Sequence, residues 1–249
     1  MAPLMADAHA LPVVLVCRLD EAVARGQDYR GLLDQQETTR LQGLRSDAAR
    51  GRYLVTRALV RHGLAQHLDC RPEALEFTAG PQGKPEVVGG GCYFNVSHSH
   101  DRVVLALSGS APVGVDVEFH GRRNRLDDLA RHYFAAGEQA HLEALPVLER
   151  RRQFFVLWTL KEAYAKACGC SLWDILADTA LELPGDAPPR LFVKAKVAPV
   201  SWWHLPLAAD YSLGLVSFDL SLAGAALPVY ELVPGGRPRP LTLTADICG

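Results

Sequence analysis

Val113-Gly114-Val115-Asp116-Val117-Glu118 alternates three valines with a glycine and two acids. On a strand this period of two sends the valines to one face and Gly114, Asp116 and Glu118 to the other. Carboxylates two residues apart on one face stand ~6.5–7 Å apart at Cβ, from a rise of about 3.3 Å per residue, so both can turn toward one cation. Downstream, Trp158-Thr159-Leu160-Lys161-Glu162-Ala163-Tyr164-Ala165-Lys166 has a helical pattern that puts Glu162 and Lys166 one turn apart. Phe155 and Trp158 share their side, while Phe154, Leu157, Leu160, Tyr164 and Ala167 take the other, so the helix is expected to be buried. An acid on a buried helix needs a partner, which a metal or a lysine supplies. Three acids and a lysine from a strand and a helix can hold a hard cation such as Mg²⁺ against a phosphate, since that ion takes oxygen ligands and few carboxylates.

Outward from these segments the chain reads as α+β. Leu11–Cys17 is a first strand, Glu21–Arg61 is helical in character, and the Gly80–Pro85 cluster is a loop. Strands follow at 93–97, 103–108 and 113–118, and helices at 126–144 and 150–167, the last ended by Gly169. Further strands are expected at 180–183, 191–197, 212–218 and 229–232. The helix–strand series occurs twice, which favours lobes over 1–111 and 112–233 with 234–249 as a tail, a single mixed domain being the alternative.

With 249 residues, 49% of them hydrophobic, and a formal net charge of -2, the composition suits a packed core and gives no sign of a nucleic-acid or membrane partner. No apolar run reaches transmembrane length. Residues 1–10 lack the basic start of a secretory signal, and the six cysteines show neither a zinc spacing nor a disulfide framework. A cytoplasmic protein with reduced thiols is expected.

Other segments offer phosphate-binding groups. The strand ending at Ser97-His98 brings a hydroxyl and an imidazole together at its tip. Lys84 sits between Gly83 and Pro85 on a stiff loop. Arg45, Arg50, Arg52, Arg57 and Arg61 crowd one stretch, with Arg45 and Arg52 placed on one side of a helix, either as a phosphate clamp or as a solvated face.

Taken in order, Gly83-Lys84-Pro85, Phe94-Asn95-Val96-Ser97-His98, Gly114-Val115-Asp116-Val117-Glu118 and the Trp158–Lys166 segment resemble the signature set of the 4′-phosphopantetheinyl transferases, in particular the two-lobed group that includes the activators of surfactin synthetase. The resemblance spans about 40–172. It implies a pseudo-dimer of two similar α/β lobes, monomeric in solution, with coenzyme A and the active site in the cleft between them. It implies that Asp116, Glu118 and Glu162 bind Mg²⁺ and that Lys166 lies near the pyrophosphate, with Lys161 a neighbouring basic residue. It places Arg52, Lys84, Ser97 and His98, and less directly Arg45, around the 3′-phosphate of coenzyme A. Val117 cannot ligate metal, so water would complete the shell.

The implied reaction moves the 4′-phosphopantetheine group from coenzyme A to a serine of an apo acyl, polyketide or peptidyl carrier protein. Glu162 would act as base and Lys166 would steady the leaving phosphate. The basic run Arg122-Arg123-Asn124-Arg125 could meet an acidic carrier surface. A magnesium-dependent nucleotide or coenzyme A hydrolase uses the same acids with water as nucleophile, and a non-catalytic coenzyme A- or carrier-binding module is a third reading.

Overall fold

A computed structural model describes residues 11–80, 83–122, 126–176, 178–182, 190–243 and 247–248, arranged as mixed α+β with several sheets. The chain divides into two compact units, residues 1–110 with 227–242, and residues 111–226 with 243–249. The second stretch of each unit differs from the sequence reading, which ran one lobe from 112 to 233 and left a tail beyond.

In the first unit, β1 (Val13–Arg18) is followed by α1 (Leu19–Ala24), α2 (Gln35–Gly43) and α3 (Asp47–Leu68). Then come the β2 (Phe77–Ala79) and β3 (Pro85–Val87) pair and the β4 (Tyr93–Ser99) and β5 (Arg102–Ser108) hairpin. The expected single helical stretch is several helices because the chain has separate caps. Asp34 accepts from Glu37 N at 2.8 Å to start α2, and Ser46 accepts from Ala49 N at 3.2 Å to start α3.

β1 is central. It runs antiparallel to β5 and parallel to β12 (Val229–Glu231), which pairs in turn with β13 (Arg239–Pro240). This pairing draws residues 227–242 into the first unit. Val55, Leu59 and Leu64 of α3 share its core with Leu15 of β1 and Val103, Leu105 and Leu107 of β5.

The second unit opens with β6 (Val113–Phe119), then α4 (Leu126–Tyr133), α5 (Ala136–Glu143), α6 (Val147–Cys168) and α7 (Leu172–Ile175). β7 (Thr179–Glu182), β8 (Arg190–Val193) and β9 (Lys196–Val197) make a small sheet. The strand expected over 191–197 is broken because Lys194 and Ala195 take positive φ of 50° and 61°. β10 (Ser201–Ala208) and β11 (Tyr211–Ser217) follow, and the main sheet runs β14 (Ile247–Cys248), β10, β11, β6. The sequence reading missed β10, whose Pro206 argues against a strand; in the structure the register shifts between Pro206 and Ala208, where a missing N–H is tolerated.

α6 is the buried helix of this unit. Phe154, Phe155 and Trp158 pack with Phe134 from the segment between α4 and α5, and Gly169 closes the helix at φ 68°. No described helix is long and apolar enough to cross a membrane, and Cys17, Cys70, Cys92, Cys168 and Cys170 carry free thiols.

Candidate active site

The acid strand and the lysine helix meet in the second unit. β6 pairs antiparallel with β11 over its whole length, with Asp116 opposite Gly214 and Glu118 opposite Ser212. Val113, Val115 and Val117 are buried on one face, as alternation requires. The other face receives α6.

Gly114 is what lets the helix in. A Cβ built there would lie 2.0 Å from Ala163 O and 2.4 Å from Ala167 N, both backbone atoms. The helix therefore rests on the strand's own backbone, closer than any side chain would allow. At the far end of β6, the His120 ring stacks on Phe155 with centroids 4.5 Å apart, and its Nε2 lies 2.9 Å from Ser212 Oγ. The strand from Gly114 to His120 covers about 20 Å and the helix from Ala167 back to Phe155 about 18 Å, so the two run antiparallel in step.

Asp116 and Glu118 fall inside that span, and so do Glu162 and Lys166 on the helix. Lys166 Nζ donates to Asp116 Oδ1 at 2.7 Å and to Val115 O at 3.3 Å. Asp116 is buried, so its carboxylate needs such a partner. Glu118 and Glu162 are half-buried, neither sealed in the core nor fully in water.

Among the described residues, no three His, Cys, Asp or Glu side chains already stand as a ligand cluster. The donor set nonetheless suits a hard cation. It offers carboxylates alone, two of them from one strand face, and a lysine whose ammonium stands 2.7 Å from Asp116 Oδ1. Magnesium commonly uses few protein carboxylates and completes its octahedron with water and substrate phosphate.

Lys161 requires a correction. It was expected beside the coenzyme, yet its ammonium is fully buried, 2.8 Å from Glu138 Oε2 and 2.6 Å from Thr179 O, over the Phe134 ring. Burial pushes its pKa down and Glu138 opposes that shift. Glu138 also accepts from Ala135 N and from Leu181 N, both at 2.8 Å. The network ties α5, α6 and β7 together, so Lys161 belongs to the scaffold. Helical periodicity could not place it, because both sides of α6 are buried.

The remaining expected residues lie in the first unit or outside the described chain. β4 continues to Ser99, opposite Arg102, so Ser97 and His98 point to opposite faces instead of sitting together at a strand tip. Ser97 is buried and His98 exposed. Lys84 is half-buried just before β3, behind Gly83 at φ 77°. Arg52 is half-buried on α3, whereas Arg45 is exposed and precedes the N-cap Ser46, so the two do not share a helix face.

Two of the crowded arginines form no phosphate clamp. Arg57 pairs with Glu37, and Arg61 is buried with its guanidinium 2.8 Å from Glu37 Oε2 and within reach of Pro72 O and Leu75 O. Arg123 and Arg125 lie outside the described residues, as does the side chain of Arg122.

Comparison with known proteins points the same way. Residues 112–216 match the family model of the 4′-phosphopantetheinyl transferase superfamily. The chain is 37% identical to a putative 4′-phosphopantetheinyl transferase, slr0495, of Synechocystis sp., over 64% of this chain and 65% of that protein, just under two thirds of its length. It is 29% identical to the 4′-phosphopantetheinyl transferase HetI of Nostoc sp., over 77% of this chain and 80% of HetI. It is 36% identical to the 4′-phosphopantetheinyl transferase AcpT of Escherichia coli K12, over 54% of this chain and 68% of AcpT.

Proposed function

We propose that this chain, which belongs to the 4′-phosphopantetheinyl transferase superfamily, moves the phosphopantetheine group of coenzyme A onto a serine of an apo carrier protein. The observation that carries the reading is the Lys166–Asp116 pair, 2.7 Å long, held under a helix whose Glu162 lies one turn before that lysine. A diphosphate brought to this place meets an ammonium group and a set of carboxylates with opposite tasks.

Asp116, Glu118 and Glu162 would hold Mg²⁺ with phosphate and water oxygens, and the ion, when bound, would offset charge gathering on the diphosphate. Glu162 accepts the proton of the carrier serine hydroxyl as its oxygen bonds to the β-phosphorus of coenzyme A. The bond from that phosphorus to the bridging oxygen breaks, and adenosine 3′,5′-bisphosphate leaves. Lys166 steadies the oxygen that departs, exchanging part of its attraction to Asp116 for attraction to the leaving phosphate.

On this reading the enzyme is of the two-lobed, surfactin-synthetase-activating kind, cytoplasmic and monomeric. Arg52, Lys84, Ser97 and His98 would serve the 3′-phosphate, with Arg45 at the margin, while Lys161, expected as a basic neighbour of Lys166 at the coenzyme, is withdrawn because it pairs with Glu138. Arg122, Arg123 and Arg125 would face an acidic acyl, polyketide or peptidyl carrier.

Intact-mass measurement of apo-carriers incubated with the protein, coenzyme A and Mg²⁺ tests the proposal. A carrier heavier by one phosphopantetheine is expected. Release of adenosine 3′,5′-bisphosphate without any carrier would favour a hydrolase, and no change to carrier or coenzyme would favour a binding module.

A further inference from the structure

The geometry points to Gly214 as a positioning residue for the catalytic helix, an inference that rests on the reading of Asp116 and Lys166 given above. Gly214 lies on β11 directly opposite Asp116, so it is the cross-strand neighbour of the central carboxylate. It is also where α6 touches the second strand of the pair. A Cβ added to Gly214 would stand 2.6 Å from both C and O of Thr159 and 2.9 Å from Leu160 N.

These are backbone atoms of a buried helix, which cannot swing aside as a side-chain end can. Thr159 adds no cushion, because its hydroxyl turns back on its own helix, donating to Phe155 O at 2.8 Å. Gly114 and Gly214 thus form two seats, one on each strand. Gly114 supports the helix at Ala163 and Ala167, and Gly214 supports it about one turn earlier at Thr159 and Leu160. Glu162 lies between the two seats and Lys166 lies at the first.

With two points of support, both the height and the tilt of α6 above the sheet are set. With Gly214 filled and Gly114 kept, the helix would pivot on Gly114, lifting the turn that bears Glu162 while the fold persists. Gly214 contacts no reacting group itself, and acts through the placement of α6.

The test compares Gly214→Ala and Gly214→Val with the wild type. For Gly214→Ala, kcat for carrier modification should fall about ten- to hundredfold, as expected when catalytic groups are displaced by a fraction of an ångström to 1 Å. KM for coenzyme A should stay within about twofold, because the residues assigned to the 3′-phosphate lie elsewhere. Gly214→Val should lose more activity, and circular dichroism of Gly214→Ala should match the wild type.

A crystal structure of Gly214→Ala should show α6 raised at Thr159 and the Lys166–Asp116 separation changed from 2.7 Å. Unchanged kcat in a folded Gly214→Ala, or α6 in its original place, would overturn the inference. Should the wild type transfer nothing, the reading of the reaction falls, and the crystallographic comparison still decides whether Gly214 sets the helix.

Discussion

α3 and α6 are each 22 residues long, and each carries one buried cation at the same distance from its first residue, Arg61 in one and Lys161 in the other. Each cation pairs with the glutamate at the third position of an earlier helix, Glu37 of α2 and Glu138 of α5. Each glutamate also accepts the backbone N–H just before its helix, from Asp34 and Ala135. The two units therefore repeat one piece of scaffolding.

What stands on the scaffold differs. Where α6 has Glu162 and Lys166, α3 has His62 and Gln66. The strands differ as well. In the first unit the small residue is on the helix, with Gly63 lying over Leu15 of β1; in the second it is on the strand, with Ala163 lying over Gly114. Two residues past these points β1 has Cys17 and β6 has Asp116. The ion pair is structural and repeated, whereas the acids and their lysine belong to one copy.

The largest effect should fall on the shared part. Removing one partner of a buried ion pair costs about 3–5 kcal/mol, so Glu37→Ala and Glu138→Ala should each lower the urea midpoint strongly. A loss in one unit and none in the other would break the equivalence.

Next comes the part that differs. Asp116→Ala, Glu162→Ala and Lys166→Ala should each cost roughly 3–4 kcal/mol of barrier, a hundredfold or more in carrier modification. His62→Ala and Gln66→Ala should leave the rate within about threefold, since most substitutions away from the reacting groups act on stability. Equal rate losses in both sets would mean that the first unit carries chemistry too.

A third comparison uses the glycines. Gly114→Ala meets helix backbone and should abolish most transfer, whereas Gly63→Ala meets only the side-chain ends of Leu105 and Leu15. Overpacking of about 1–3 kcal/mol there would be offset in part by a helix-propensity gain of about 1 kcal/mol. Thermal unfolding and kinetics of the two variants would separate them.

The smallest effect is one of pH. His204 of β10 is buried, and burial first, then the charges of His120 and Arg152, holds its pKa down at about 4. A lowered folded pKa means that the unfolded chain takes up the proton more readily, so stability is present above about 6.5 and drains as pH falls toward about 4. Replacing His204 with Asn should flatten that decline in urea midpoint between pH 7 and 5; an unchanged slope would assign it to other groups.

The elements that were legible in sequence are those whose period matches a local rule. The valine alternation of β6 and the apolar wrap of α6 could be read from 113–118 and 154–167, because strand and helix periods decide which residues share a face. β10 was hidden by Pro206, and the return of 227–242 to the first unit was hidden because β12 finds its partner β1 more than 200 residues away. The Ser97–His98 pairing failed on a boundary, since two more strand residues turn neighbours into opposites.

From the sequence alone came the residue types of the candidate site and their order along the chain, since alternation and helical spacing are local properties of the backbone. Helical spacing already set Lys166 beside Glu162, and only the tertiary structure decided that Lys161 of the same segment turns away from the acids. On a helix apolar around most of its circumference, periodicity gives Lys161 no polar face to be assigned to. The close approach of α6 to Gly114 and Gly214 sets its rotation, turning Lys166 toward Asp116 and Lys161 toward Glu138.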